Sequence, residues 1–196
     1  DPKFLNLLNQ VRNNQLTESS LSEINKRYIP GFKPNSNDRY VHLTTHNHQA
    51  QIINQHELTS INKPEFKYLA KVKGEFPENI YPTENELVLK LGAQVMLVKN
   101  DLSKEKLFYN GMIVEIVEID ISSIKVKAVD NDNIIDVEPM TWVNSRYIFD
   151  EQEHEIREYE LGTFTQYPIK TAWAITIHKS QGLTFSHAII DAQDSF

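Results

Sequence analysis

Five consecutive residues near the end of the chain, His178-Lys179-Ser180-Gln181-Gly182, gather the side chains best suited to a phosphate-bearing ligand. Imidazole, ammonium and hydroxyl supply donors, Gln181 both donates and accepts, and Gly182 lets a ligand approach the main chain. They follow Ala172-Trp173-Ala174-Ile175-Thr176-Ile177, which reads as a buried strand, and precede a second apolar run, Ala188-Ile189-Ile190-Asp191. A polar turn leaving a buried strand is where open α/β sheets place ligands. The stretch is therefore suited to holding a polyanion. Its plain alternative is a strand and a solvated turn, with Ser180 capping a following helix.

A second candidate lies earlier. Tyr40-Val41-His42-Leu43-Thr44 reads as a strand, Thr45-His46-Asn47 as a turn, and residues from about His48 to Leu58 as a helix. Thr45 or Asn47 is placed either to cap that helix or to meet a phosphate at its N-terminus. The histidines His42, His46, His48 and His56 do not suggest a metal site: their spacing mixes strand, turn and helix, and neither a cysteine nor a His-Glu-x-x-His signature accompanies them. Asn110-Gly111 reads as a hairpin turn needing positive φ. Trp142 and Tyr147 are candidates for base stacking, with core or edge packing as the plainer role. Ser180 lacks the G-x-S-x-G elbow of a hydrolase, and no catalytic residue is assigned.

The elements that must position these residues fall into three textures. Phe4, Leu5, Leu7, Leu8 and Val11 predict an amphipathic helix, and Thr17 to Ser20 leading into Leu21-Ser22-Glu23-Ile24 predicts a second, capped one. A loop from Ile29 to Asp38 marks a boundary. Phe66 to Lys73 reads as one half-buried strand with Lys67, Lys71 and Lys73 outward, followed by a loop from Gly74 to Asn85. From Leu87 the chain becomes a series of short strands: Leu87–Leu91, Ala93–Lys99, Met112–Ile119, Ile124–Val129 and Ile134–Val137, with turn residues between them, among them Asn131-Asp132-Asn133. That texture predicts a small antiparallel barrel. Asp150 to Glu160 is an acidic stretch expected to form a solvated face or loop, and Leu161 to Pro168 to lead back to the first domain, with Pro168 at a strand entrance.

With 196 residues, 40% hydrophobic and 24% charged, the chain has the composition of a globular protein with room for one large or two small domains. No apolar run approaches the ~20 residues of a membrane span, so no membrane partner is expected. The absence of cysteine excludes disulfides and fits a reducing cytoplasm. A net charge of −7 argues against gripping a duplex by bulk electrostatics, yet a narrow single-strand groove needs only local donors and stacking surfaces.

The phrase Ala172 to Phe185 with the following Ala188-Ile189-Ile190-Asp191 closely resembles motif V of the Pif-type and RecD-like superfamily 1 DNA helicases, Thr176 to Gly182 matching the family's form without interruption. Val41 to Gln55 resembles motif IV more loosely. The segments Leu89 to Asp101 and Tyr109 to Ile119 resemble the opening of the family's inserted barrel of the Src-homology-3-like type. The resemblance implies an α/β fold: a RecA-like second motor domain, of the P-loop helicase type, over 37–90 and 166–196, with the barrel inserted at 91–165 and residues 1–36 linking from the first motor domain. It implies single-stranded DNA as a partner, contacted by Thr45, Asn47, Thr176, His178, Lys179 and Ser180. Gln181 and Gly182 would lie toward the nucleotide. ATP and Mg2+ would be bound in the full-length parent, held mainly by the N-terminal motor domain, itself a partner, with translocation from five-prime to three-prime. The chain, starting at Asp1 and stopping at Phe196, reads as an excised fragment that binds no cofactor alone. The alternative is a non-enzymatic module whose barrel binds nucleic acid or protein.

The chain has six glycines and no G-x-x-x-x-G-K-[ST] loop, so it does not contain the usual phosphate cradle. The expected outcome of a steady-state ATPase assay on this chain with single-stranded DNA is no turnover above the blank; robust turnover would overturn the expectation.

Overall fold

The structure is a computed structural model describing residues 2–35, 38–128, 133–150 and 154–191, and it divides into two compact units, Asp1–Ser36 and Asn37–Phe196. In the first, α1 (Pro2–Arg12) and α2 (Glu18–Asn25) form as the apolar spacing requires. Thr17 caps α2, its Oγ1 accepting the Ser20 N–H at 3.1 Å. Lys26 and then Lys3 hold the exposed Glu23 carboxyl at about 2. The Arg27 guanidinium lies 4.2 Å over the Phe4 ring.

The second unit runs β1 (Val41–Thr44), α3 (Asn47–Ser60), β2 (Glu65–Leu69), β3 (Lys71–Gly74), β4 (Glu86–Lys90), β5 (Gln94–Leu97), β6 (Ile113–Ile119), β7 (Ile124–Ala128), β8 (Ile134–Val137), β9 (Met140–Asp150), β10 (Glu155–Gln166), β11 (Ile169–Thr171), β12 (Ala174–Thr176), α4 (Ile177–Ser180) and β13 (Ala188–Ile190). Strands β12, β1 and β13 form a parallel sheet in that order, with α3 packed on β1 and β12. This is the α/β part, formed by segments far apart in sequence.

The remaining strands are antiparallel and fall into three sheets: β11-β5-β6-β7-β8, β3-β10-β9, and the pair β2-β4. Period-two alternation drives them. In β7, Ile124, Val126 and Ala128 are buried while Lys125 and Lys127 face outward. Asp120 turns β6 into β7 by accepting the Ser122 and Ser123 N–H groups, which holds its carboxyl below the usual range. The core runs through these sheets from Leu87 and Leu89 through Val95, Leu97, Val114 and Ile116 to Ile124, Val126 and Ile169.

Several expectations are corrected here. Of the strands expected to close a small barrel, β5 to β8 form one antiparallel sheet with β11 while β4 pairs with β2, and no closed barrel forms among the described residues. The single strand expected over 66–73 is two: at Ala70 the chain changes partner from β4 to β10, and the Ala70 N–H turns to the Asn85 carbonyl at 2.8 Å. Glu155 to Glu160 are solvated as expected but belong to β10. Leu161 to Gln166 continue that strand against β3 and β9 rather than leaving the antiparallel part. Glu151, Glu153, Val129 and the turn residues Asn131 and Asp132 lie outside the described residues. Pro168 does precede a strand, β11.

Where the chain passes between sheets, side-chain amides satisfy its backbone. Gln94, 1% exposed, donates from Nε2 to the carbonyls of Tyr40 (3.1 Å) and Ala172 (2.9 Å), just before β1 and β12. Asn54 on α3 donates to the Ala174 carbonyl and accepts the Ala174 N–H, both at 2.8 Å. Gln166 donates to the Tyr68 carbonyl at 2.9 Å and accepts the Tyr167 N–H at 3.0 Å. Replacing Gln94 by Leu leaves the Tyr40 and Ala172 carbonyls without their amide donor, and the expected loss is about 2 kcal/mol. Urea unfolding should show a lower midpoint at an unchanged slope.

Candidate nucleic-acid interface

Parallel pairing sets the site. In the β1–β12 register His42 opposes Ala174, Leu43 opposes Ile175 and Thr44 opposes Thr176. The two strands end level, so residues 45–47 and 177–182 leave the same edge of the sheet side by side. Carboxyl ends of parallel strands are where this class of sheet binds ligands. The two candidate stretches, unrelated in sequence, are thereby brought together.

The side chains differ in availability. Thr176 is buried at 5% exposure, in the last position of β12. His178 and Lys179 are exposed on the single turn of α4. Ser180 is half-buried, and its Oγ donates to the Ile177 carbonyl at 2.7 Å. The expected helix cap by Ser180 is therefore corrected: the hydroxyl closes the turn it belongs to, because the chain runs on through Gln181 and Gly182 without a helix. Gln181 is exposed, and Gly182 has a φ of 80° with nothing within 4 Å of where a Cβ would stand. Its backbone conformation calls for glycine, and the space beside it is open.

At the neighbouring turn neither Thr45 nor Asn47 is the N-cap residue. The N-cap residue of α3 is His46, which makes no side-chain cap bond, and Asn47 is the first helical residue. The Thr45 hydroxyl bonds His46 Nδ1 at 2.8 Å, while Thr44, buried, donates to the His46 carbonyl at 3.2 Å. The N-cap side chain thus contributes nothing to the first turn of α3, and Asn47 is exposed there.

A groove of about 1220 Å³ begins at this edge, with Asn47, Thr176 and Lys179 in its lining, and runs between α3 and strands β4, β5 and β11. Lys170 on β11 is also in its wall. Burial, and secondarily the nearby Lys179, pushes the Lys170 ammonium below its ordinary range, with Glu84 opposing. A half-buried ammonium disfavoured by its surroundings is suited to an incoming anion. The sequence reading missed Lys170, whose only signal was a lone lysine in the apolar segment from Pro168 to Ala174. Trp142, by contrast, packs edge-on against the buried Phe164 with the Lys99 ammonium 4.8 Å from its ring. Tyr147 is exposed on β9.

His42 sits half-buried on the middle strand β1, where burial lowers its imidazole below the ordinary value against smaller raising effects of Glu57 and Asp191. Because the folded value is depressed, the unfolded chain binds more protons in the window between it and the ordinary value. Stability is therefore full above the ordinary histidine value of about 6.5 and falls as pH drops through and below it. The urea midpoint should decline as pH falls below about 6.5. His42→Gln should flatten that decline, and an equally steep profile would exclude His42 as its source.

No family model matches the chain. Among curated proteins it is similar to the ATP-dependent DNA helicase Pif1 of a Psychrobacter species, 29% identical over 97% of this chain and 35% of the relative. It is likewise similar to the protein of that name from Campylobacter jejuni, 30% identical over 99% of this chain and 46% of the relative. Among solved structures, unliganded Pif1 from a Bacteroides species superposes with a TM-score of 0.89 at 36% identity, over the whole of this chain and 44% of that one. The same protein bound to single-stranded DNA gives 0.70 over the same shares. The chain spans less than half the length of each of these proteins.

Proposed function

We propose that this chain, a relative of the Pif1-type DNA helicases along 97–99% of its length, supplies one half of an ATP-dependent helicase motor: the half that grips single-stranded DNA and closes on the nucleotide. The parallel sheet β12-β1-β13 with α3 is the centre of the RecA-like second motor domain expected over 37–90 and 166–196, residues 1–36 are the link from the first, and the antiparallel sheets, which draw on β2, β3, β4 and β11 as well as on 91–165, correspond to the Src-homology-3-type insert. The observation that carries the reading is the level ending of β1 and β12, which presents Thr45, Asn47, His178 and Lys179 at one sheet edge.

In this reading phosphates of the strand lie across that edge. His178 and Lys179 donate from α4, Asn47 and the first turn of α3 from the other side, and Lys170 from the groove wall. Thr176 and Ser180 act differently: one is buried at the strand end and the other is bonded to Ile177, so both shape the turn that the strand meets. Gln181 and Gly182 face the nucleotide. ATP and Mg2+ belong to the longer parent. The chain's part is contact and positioning, with the first motor domain as its partner and movement from five-prime to three-prime.

The test is fluorescence anisotropy of labelled single-stranded DNA at low and moderate salt. His178→Ala with Lys179→Ala should weaken binding by about tenfold and lower the salt slope by about 0.7 per lost phosphate contact. Lys170→Ala should lower the slope by one further contact. Binding that none of these changes alters would move the strand to another surface, for which the exposed Tyr147, Phe149 and Ile156 of the β9–β10 ribbon are the first to examine.

A further inference from the structure

The long link from β5 to β6 ends in a turn, Tyr109 to Met112, closed by the Met112 N–H on the Tyr109 carbonyl at 3.1 Å. Gly111 occupies its third position with a φ of 95°, and its own N–H is bonded to the Leu97 carbonyl at 2.8 Å. The conformation alone favours glycine. The surroundings press on it separately: a Cβ on Gly111 would stand 2.4 Å from Leu183 Cδ2, 3.2 Å from Cγ and 3.3 Å from Cδ1, so the Leu183 side chain would have to move. Three atoms of one side chain close on the space that glycine leaves.

Leu183 is the residue that ends the 176–182 turn. Its N–H is bonded to the Ser180 carbonyl at 3.0 Å, and it follows Gly182, itself at positive φ. The chain beyond it stays against the same neighbours. Thr184 and Phe185 share a small crevice with Tyr109 and Ile113, and the His187 ring lies 5.0 Å from that of Tyr40. Arg39, in the same crevice, is ion-paired with Glu115 on β6.

We propose that Gly111 is a positioning residue: its turn is the seat for Leu183, and through Leu183 it fixes the placement of His178, Lys179 and Gln181. The antiparallel part of the molecule thereby holds one end of the candidate strand-binding turn, while β12 holds the other. A displacement of the 109–112 turn is transmitted to the donors without passing through the parallel sheet. The positioning itself stands on packing; only its consequence for DNA rests on the reading given above.

Amide hydrogen exchange, followed by mass spectrometry on the whole chain, tests it with Gly111→Ala, Leu183→Ala and the double variant. Gly111→Ala should speed exchange in peptides covering 177–187 by about tenfold while leaving β7 and α3 protected. Leu183→Ala, which leaves the glycine turn intact, should loosen the same peptides. In the Leu183→Ala background the Gly111 change should add nothing there, because the colliding atoms are gone. Additive effects in the double variant, or unchanged exchange at 177–187 in Leu183→Ala, would overturn the seat even if Gly111→Ala proved too strained to fold. Single-strand affinity measured on the same samples separates the two ideas. If affinity falls with Gly111→Ala in step with exchange, both stand. If the unaltered chain binds no strand, the strand-binding reading fails and the exchange cycle alone judges the seat.

Discussion

Most of the architecture turns on the obligation to satisfy backbone groups where the chain crosses between sheets. A strand's carbonyls and N–H groups find partners in their own ladder, but a group left outside a ladder in a buried crossing needs another donor or acceptor, since no water takes its place. Gln94 answers this at the two places that matter for the site. One buried amide donates to Tyr40, ahead of β1, and to Ala172, ahead of β12. Asn54 then fixes Ala174 from the helix side by both its polar groups. The register that brings Thr44 opposite Thr176 is held by these two side chains as much as by the short ladder between the strands.

Local pattern carried the sequence reading a long way, and its failures share a cause. Strands with one buried and one solvated face, such as β6 and β7, are visible as alternation. The ribbon of β9 and β10 is not, because both of its faces are largely open toward its tip: Tyr147, Ile148, Phe149, Ile156 and Tyr159 are all exposed, interspersed with charge. Without a buried face there is no period to read. The break at Ala70 was hidden for a different reason, since the alternation from Phe66 to Val72 continues unbroken while the hydrogen-bonding partner changes.

At the candidate site the residue types were legible and their surroundings were not. His178 and Lys179 stand out in any reading because they are polar and consecutive. Lys170 gains its character only from tertiary burial near Lys179 and Glu84. Capping by Thr45 or Asn47 was a sound local expectation, yet the N-cap position falls between them on His46, whose side chain makes no cap bond. Gly111 shows the limit most clearly: its positive φ could be anticipated from Asn-Gly, whereas its contact with the Leu183 side chain, remote in sequence, could not.

The charge of the chain and the charge of the site point in opposite directions, and local geometry resolves the conflict. A net −7 would repel a polyanion if it were spread evenly. Much of the acidity is instead confined to exposed positions such as Glu155, Glu158 and Glu160 on β10. Of the two glutamates lining the groove, Glu86 is engaged by Lys67 at 2.8 Å. That leaves Glu84 as partial compensation for Lys170, too little to offset burial and the neighbouring Lys179. Cations held near each other in a partly desolvated wall are stabilised by an added anion more than by bulk solvent, since low dielectric strengthens both their repulsion and the relief of it. An acidic protein can therefore present an edge suited to phosphate without a basic face, provided a few lysines stand near one another and one of them, here Lys170, is partly withdrawn from water.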